Sequence, residues 1–314
     1  MLVTDPYQAE SLDAITLFSQ ARFVNAIVKA MGKRFRPIRL PSEDSRSAIF
    51  GVETLHSFGR RSVHLAPYGL YAHPFGTEDL GSAVGEIVAR LKTFSTATFD
   101  WNVRFDHGSL AQKLISAGIP CSRHVTHALL LQGHYEKSFA RFSSTTRNLV
   151  RRAKREGIVA HRTEDPKDLA AYYEVHKRLA AEKGNYDLLY PKTLFDELLK
   201  LRDDVVFVVA KIDSQIAGGA WFYRDGKSMF YWHAAMDRKY SRRSPAYAIV
   251  DYAIGMAHEE GRSFFNFGGS RGIASLLEFK TAWGAEEFYC WHFHWQNPVW
   301  QRVGRLRRVW RLHA

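Results

Sequence analysis

The sequence predicts an α/β protein built from two similar halves, each a mixed sheet flanked by helices. Three observations lead there. Strand-like apolar segments alternate with segments of helical period along the 314 residues, the order in which strands and covering helices share a sheet. Each half contains three short strands in succession, which reads as an antiparallel meander at one end of a sheet. The length exceeds what one core ordinarily serves, so two domains are expected.

Taken in order, residues 17–31 read as a helix with Phe18, Phe23, Ile27 and Met31 on one side, ended by Gly32. Strands follow at 34–40, 46–55 and 61–65, then an aromatic loop bounded by Pro67 and Pro74. A helix capped by Thr77 or Asp79 runs to Leu91, turning Val84, Ile87, Val88 and Leu91 inward. A strand at 97–103, a helix at 110–116 stopped by Gly118 and Pro120, and a strand at 122–131 complete the first half.

The second half opens on a basic helix. Arg147, Arg151, Lys154 and Arg155 are spaced to share one face, and Gly157 ends the helix. A strand at 158–162 precedes two helices, opened by Asp165-Pro166 and by Pro191. The meander is 205–212, 215–223 and 228–235, with turns at Asp213-Ser214 and Arg224-Asp225-Gly226. A helix from Pro245 to a stop at Gly261, a strand ending in Phe267-Gly268-Gly269, a short helix ending at Gly284, and a strand at 287–295 follow. The strand at 287–295 is expected to close this half.

Composition sets limits. Hydrophobic residues at 46% and charged residues at 24% are those of a folded chain, not a disordered one. The formal charge of +12 favours polyanionic partners: nucleic acid, nucleotide-linked substrates or anionic membrane. Cys121 and Cys290 are the only cysteines, so there is neither a disulfide framework nor a cysteine metal pair. No HExxH spacing occurs among the fourteen histidines; His292 and His294 read as structural. No metal and no cofactor are expected. The first ten residues lack a basic region followed by an apolar core, and no apolar run is long enough to span a bilayer. A cytoplasmic protein is expected, peripheral to the inner face of the membrane if its tail binds there. That tail, residues 297–314, reads as a basic amphipathic helix with Val299, Val303, Leu306 and Trp310 on one side. It lies either on anionic membrane or on its own protein.

Three segments carry a resemblance: Thr146-Arg147-Asn148-Leu149-Val150-Arg151-Arg152-Ala153-Lys154-Arg155-Glu156-Gly157-Ile158, Phe265-Asn266-Phe267-Gly268-Gly269, and Glu278-Phe279-Lys280-Thr281-Ala282-Trp283-Gly284-Ala285. In this order they are similar to the Fem family (FemX/FemAB-like) of nonribosomal peptidyl transferases, which join two GNAT-like domains. The match is good over residues 138–294 and thin before them. The resemblance implies tandem GNAT-like domains at 1–137 and 138–296, followed by the basic tail. It implies transfer of an aminoacyl group from aminoacyl-tRNA to an amine, on a peptidoglycan precursor or similar peptide. It places Phe279 and Lys280 at the acceptor site, with Lys280 near a phosphate or the developing oxyanion. By approximate position, Lys183, Tyr186, Asp187 and Tyr231 line the same pocket; either Asp187 or the substrate itself assists proton removal.

The residues themselves leave alternatives open. A lysine ammonium suits an oxyanion or phosphate, but Lys280 also reads as an exposed helix lysine. Gly268 and Gly269 either let backbone approach a ligand or end a strand. The Arg147/Arg151/Lys154/Arg155 face and the pair Arg242 and Arg243 bind nucleic acid or phosphate, or are solvated. Tyr240-Ser241-Arg242-Arg243-Ser244-Pro245-Ala246 lacks the glycines with which acetyl-CoA enzymes open amides to a pyrophosphate. An acyl-CoA or acyl-carrier-protein donor is the second reading, and a noncatalytic tRNA or membrane-surface binding protein the third.

Overall fold

The computed structural model describes residues 17–19, 21–40, 49–65, 71–72, 84–102, 109–182, 190–270 and 272–300. The chain forms two compact units, residues 1–124 with 289–314, and residues 125–288.

In the first unit α1 (Ala21–Met31) buries Phe23, Val24, Ala26 and Ile27, and a short 3-10 turn at Leu17–Ser19 precedes it. The strands are β1 (Phe35–Leu40), β2 (Ile49–Leu55), β3 (Arg61–Leu65) and β4 (Tyr71–Ala72). Next come α2 (Val84–Lys92), β5 (Thr96–Asn102), α3 (Ser109–Ser116) and β6 (Cys121–Leu130), which begins in this unit. β1, β2 and β3 form the expected antiparallel meander, and β3 and β4 join β5 in parallel. β4 lies where the sequence reads as a loop. The caps expected at Thr77 or Asp79 lie outside the described residues.

The second unit adds α4 (Tyr135–Arg141), α5 (Ser144–Arg155), β7 (Val159–Arg162), α6 (Pro166–Glu182), α7 (Lys192–Leu199), β8 (Val205–Ile212), β9 (Gln215–Asp225) and β10 (Ser228–Met236). A 3-10 turn at Arg238–Arg243, α8 (Pro245–Glu259), β11 (Phe264–Gly269) and α9 (Ala274–Ala282) complete it. Its strand order is β6-β11-β10-β9-β8-β7, antiparallel except where β10 meets β11. β8 is buried on both faces. Val206, Val208, Ala210 and Ile212 join Ala253, Ile254 and Ala257 of α8 in one core. Phe207 stacks on Trp221 and meets Tyr172 of α6 on the other side.

The final strand, β12 (Glu286–Gln296), corrects one expectation: it pairs with β5 in the first unit instead of closing the second half. The apolar end of β6 pairs with β11, setting Leu129 and Leu130 against Phe265 and Phe264. Strand patterning says that a strand is buried but not which neighbour it takes. His292 of β12 stacks on His124 with ring centroids 4.3 Å apart, in keeping with a structural role.

Candidate active site

The site begins where two parallel strands part. β10 and β11 pair over three positions, Ser228 with Phe264, Met229 with Phe265 and Phe230 with Asn266. Beyond that point β10 stays with β9 and β11 with β6. Each strand has a register shift at the parting, between Tyr231 and His233 on β10 and between Asn266 and Gly268 on β11. Such bulges bend a strand and re-aim its side chains. A fork at the carboxyl ends of parallel strands is a favoured ligand position in α/β sheets.

On the β11 side, the three segments that carry the family resemblance converge. Ser143 caps α5 by accepting from the Thr146 amide at 3.1 Å, and its own amide donates to the Ala282 carbonyl at 2.8 Å. Trp283 is fully buried and meets Phe142 edge-on at 4.9 Å. Phe279 packs against Phe267, Tyr247 and Trp283. Each buried ring of this kind contributes about 2 kcal/mol by leaving water. Gly284 has φ +75°, and a Cβ there would lie 3.1 Å from the Arg141 carbonyl oxygen, which explains the glycine that ends the motif.

Lys280 is the chemical feature of this core. It is buried, 5% exposed, and Nζ donates to the Gly268 and Gly269 carbonyls, both at 2.8 Å. Gly268 has φ +70°, a conformation that L side chains rarely adopt, and this turn presents two successive carbonyls to one ammonium. Asn266, buried within an apolar strand, holds the turn: its Oδ1 accepts from the Gly268 amide at 2.8 Å and from the Thr126 hydroxyl at 3.2 Å. Desolvation lowers the Lys280 pKa to about 8. An ammonium has three donors, and among the described residues two of them are taken, by the Gly268 and Gly269 carbonyls.

Two more buried polar groups occupy the same end of the strand pair. Both ring nitrogens of His127 and the Ser270 hydroxyl are without a hydrogen-bond partner among the described residues. Burial, and then the charge of Lys280, push the His127 pKa down. Glu287 stands 3.7 Å from His127 Nε2. Sequence reasoning passed over His127 and Thr126, and took Asn266 only as part of its motif, with no role of its own. Asn266 was findable as a lone amide between phenylalanines; His127 in its strand gave no signal.

On the β10 side, Tyr231 stacks on Phe222 at 5.1 Å, and burial raises its pKa. The bulge lets Trp232 and His233 share the opposite face. Trp232 stacks on Tyr190 at 5.2 Å, and His233 Nε2 lies 3.3 Å from His176 Nδ1. Burial depresses both imidazoles, His176 to about 4 and His233 to about 3, with the neighbouring His176 adding to the second shift. These histidines too were missed.

Of the basic residues singled out by spacing, Arg147 donates to the Ala140 and Phe142 carbonyls and Arg151 covers the Phe139 ring. Lys154 and Arg155 are exposed. Arg242 and Arg243 are exposed in the 3-10 turn before α8, with Arg243 3.9 Å from Glu156. Lys183, Tyr186 and Asp187 lie outside the described residues, as do residues 301–314 of the basic tail. Among the described residues no group of His, Cys, Asp and Glu is arranged to hold a metal, and no helix is long and apolar enough to cross a membrane.

A meander, a parallel strand pair that parts, and a helix entering from the end of the first prong define an acyltransferase of the GNAT fold. The chain belongs to the family described as the acetyltransferase (GNAT) domain, whose model matches residues 138–298, just over half of the sequence. Among solved structures, the chain is similar to FemX, with TM-score 0.66 and 14% identity, covering 91% of this chain and 94% of that one. It is also similar to the C-terminal domain of a putative lysylphosphatidylglycerol synthetase from Agrobacterium fabrum, with TM-score 0.62 and 16% identity, covering 95% of each chain. A tandem GNAT protein from the clavulanic acid biosynthesis pathway matches with TM-score 0.50 and 12% identity, covering 90% of this chain and 93% of that one. These likenesses establish the tandem GNAT-type fold. No curated protein sequence matches the chain.

Proposed function

We propose that this protein transfers an aminoacyl group from aminoacyl-tRNA to an amine acceptor, forming an amide. The observation that carries the reading is the buried Lys280 ammonium, fixed by the Gly268 and Gly269 carbonyls at the fork. In the reaction, the acceptor nitrogen attacks the ester carbonyl carbon, the oxyanion forms, the ester C–O bond breaks, and the ribose hydroxyl leaves with a proton. A cation held in place before reaction stabilises that oxyanion without reorganising. With a pKa of about 8, Lys280 is mostly charged at neutral pH. Asp187 or the substrate removes the amine proton; Phe279, Tyr231, Lys183 and Tyr186 line the acceptor pocket in this reading. Lys154, Arg155, Arg242 and Arg243 supply the exposed positive charge that a tRNA backbone requires.

The turn before α8 supports a donor other than acyl-CoA. Its left-handed position is Ser244, with φ 62°, not glycine. The Ser244 amide donates to Ser241, Pro245 has no N–H, and the Tyr247 amide donates to Ser244. Few amides remain to cradle a pyrophosphate. FemX, to which the fold is similar, and the lysylphosphatidylglycerol synthetase domain favour the tRNA-dependent reading.

The test supplies charged tRNAs and amine-bearing peptides to the purified protein and follows amide products by mass spectrometry. Product is expected, abolished by ribonuclease and lowered at least a hundredfold by Lys280→Ala. Activity that survives ribonuclease removes the tRNA donor, and full activity in Lys280→Ala removes Lys280 from the reaction.

A further inference from the structure

The turn that joins β2 to β3 in the first unit holds an aromatic ring where folding gains nothing from one. The His56 amide donates to the Arg60 carbonyl at 2.8 Å and closes the short 3-10 turn Ser57-Phe58-Gly59. Phe58 sits there at φ 61°, ψ 32°, in the left-handed region, a strained conformation for a bulky L residue. Gly59 beside it, at φ 69°, is the residue type such a position ordinarily takes. Burial does not offset the strain, because Phe58 is 82% exposed. An aromatic that is both strained and exposed at a turn tip points to a use outside the fold.

Basic groups surround the ring. The Leu55 amide donates to the Arg34 carbonyl at 2.8 Å, which sets Lys33 and Arg34 at the same end of the meander as the turn. Lys33 and Arg34 are exposed, and Arg60 is half-buried. Burial, and then the charges of Arg60 and Arg34, lower the His56 pKa, so both guanidinium groups stand close to the turn. Arg60 lies over the Trp300 ring, 5.7 Å from its centroid. Residues 32–36 and 56–60 contain no acid, and Glu53 of β2 is already paired with Arg61. A flat ring in solvent amid fixed positive charge is complementary to an unpaired nucleotide: the base stacks on the ring and the phosphates meet the cations. Within residues 56–60 Phe58 is the only apolar side chain, less apolar surface than insertion into a bilayer requires.

We propose that the β2–β3 turn is a docking point for single-stranded RNA, with Phe58 stacking on an unpaired base and Lys33, Arg34 and Arg60 meeting the adjoining phosphates. The turn belongs to the first unit, whereas Lys280 and the basic residues Lys154, Arg155, Arg242 and Arg243 belong to the second. That the RNA is the aminoacyl-tRNA donor rests on the reading of the transfer site given above; the docking does not.

The experiment measures, by fluorescence anisotropy, binding of the full-length protein to a short labelled oligoadenylate, to its duplex with oligouridylate, and to an uncharged tRNA. Wild type is expected to bind the single strand and the tRNA, and the duplex more weakly. Phe58→Gly removes the ring and suits the left-handed turn. It is expected to bind the single strand about fivefold or more weakly, the loss of one stacked base, at a melting temperature close to that of wild type. Phe58→Trp is expected to restore binding. The triple variant Lys33→Ala, Arg34→Ala, Arg60→Ala is expected to flatten the slope of log affinity against log salt by about 2, for three phosphates. Wild type that binds neither RNA, Phe58→Gly that binds the single strand as wild type does, a preference for the duplex, or an unchanged salt slope in the triple variant overturns the docking. So does a Phe58→Gly protein that loses binding to phosphatidylglycerol vesicles while keeping that to RNA, which makes the turn a membrane contact. Phe58-dependent tRNA binding without any amide transfer from charged tRNA sinks the proposed reaction and leaves the docking standing; transfer from charged tRNA with no Phe58-dependent binding does the reverse.

Discussion

Replacing Lys280 with methionine separates a functional ammonium from a structural tie. Methionine keeps an unbranched apolar stem and removes the charge. Burial lowers the Lys280 pKa from 10.5 to about 8, a preference for the neutral amine of about 3 kcal/mol at about 1.4 kcal/mol per pH unit. Between those two values the unfolded chain holds a proton that the native protein has released, so native stability rises with pH. Wild type is therefore expected to gain about 2–3 kcal/mol relative to Lys280→Met between pH 7.5 and 10.5. At neutral pH the variant escapes the buried charge but leaves the Gly268 and Gly269 carbonyls without their donor. That loss costs about 1 kcal/mol for each bond, so the variant should be as stable as wild type or slightly more so. Urea denaturation of both proteins across this range measures the difference. A gap that stays constant with pH, or a variant several kcal/mol less stable throughout, refutes the reasoning and makes Lys280 a structural residue.

Three further outcomes follow from the same geometry. Gly219→Ala should destabilise the second unit by about 1–3 kcal/mol in urea titration, because the new Cβ would stand 2.7 Å from the Tyr172 ring and 3.0 Å from Phe207. Gly268→Ala has room, with Phe230 at 3.5 Å, but must hold φ +70°; it should cost about 1–2 kcal/mol and lower the Lys280 pKa further by loosening the carbonyl ties that favour the ammonium, read from lysine-modification rates against pH. The His176–His233 pair is neutral in the native state, with pKa values of about 4 and about 3. Native stability should therefore fall as pH drops from 6.5 towards 4, while the unfolded chain takes up protons that the buried pair refuses. His233→Gln should flatten that fall in acid denaturation curves.

Much of the fold was legible because its signals are local. Gly157, Gly261 and Gly284 mark element ends with positive φ, as their positions after helical runs suggested. The meander was legible from its turns, and Asp213 and Ser214 adopt the positive φ values of a two-residue hairpin. Partner choice was not legible. The exchange that gives β6 to the second unit and β12 to the first depends on tertiary packing, which strand patterning does not encode. At the site, the Phe279-Lys280 pair was found through its motif, but its burial was hidden. Nothing in Glu278-Phe279-Lys280 says that the lysine turns inward while exposed Leu276 and Leu277 remain in solvent. His127, His176 and His233 come together with their neighbours only in three dimensions. A β-bulge at Trp232, which sets Trp232 and His233 on one face, leaves no clear trace in sequence.

The central claim is that this GNAT-fold enzyme uses a charged Lys280 to form an amide from an aminoacyl-tRNA. The most direct measurement is amide formation from labelled aminoacyl-tRNA across pH 6–10 with wild type and Lys280→Arg. The rate is expected to fall as pH rises through about 8, where Lys280 loses its proton, and to persist to higher pH at reduced level in the arginine variant. A wild-type rate that climbs steadily through pH 8–10, or one that the arginine variant reproduces at every pH, contradicts the account.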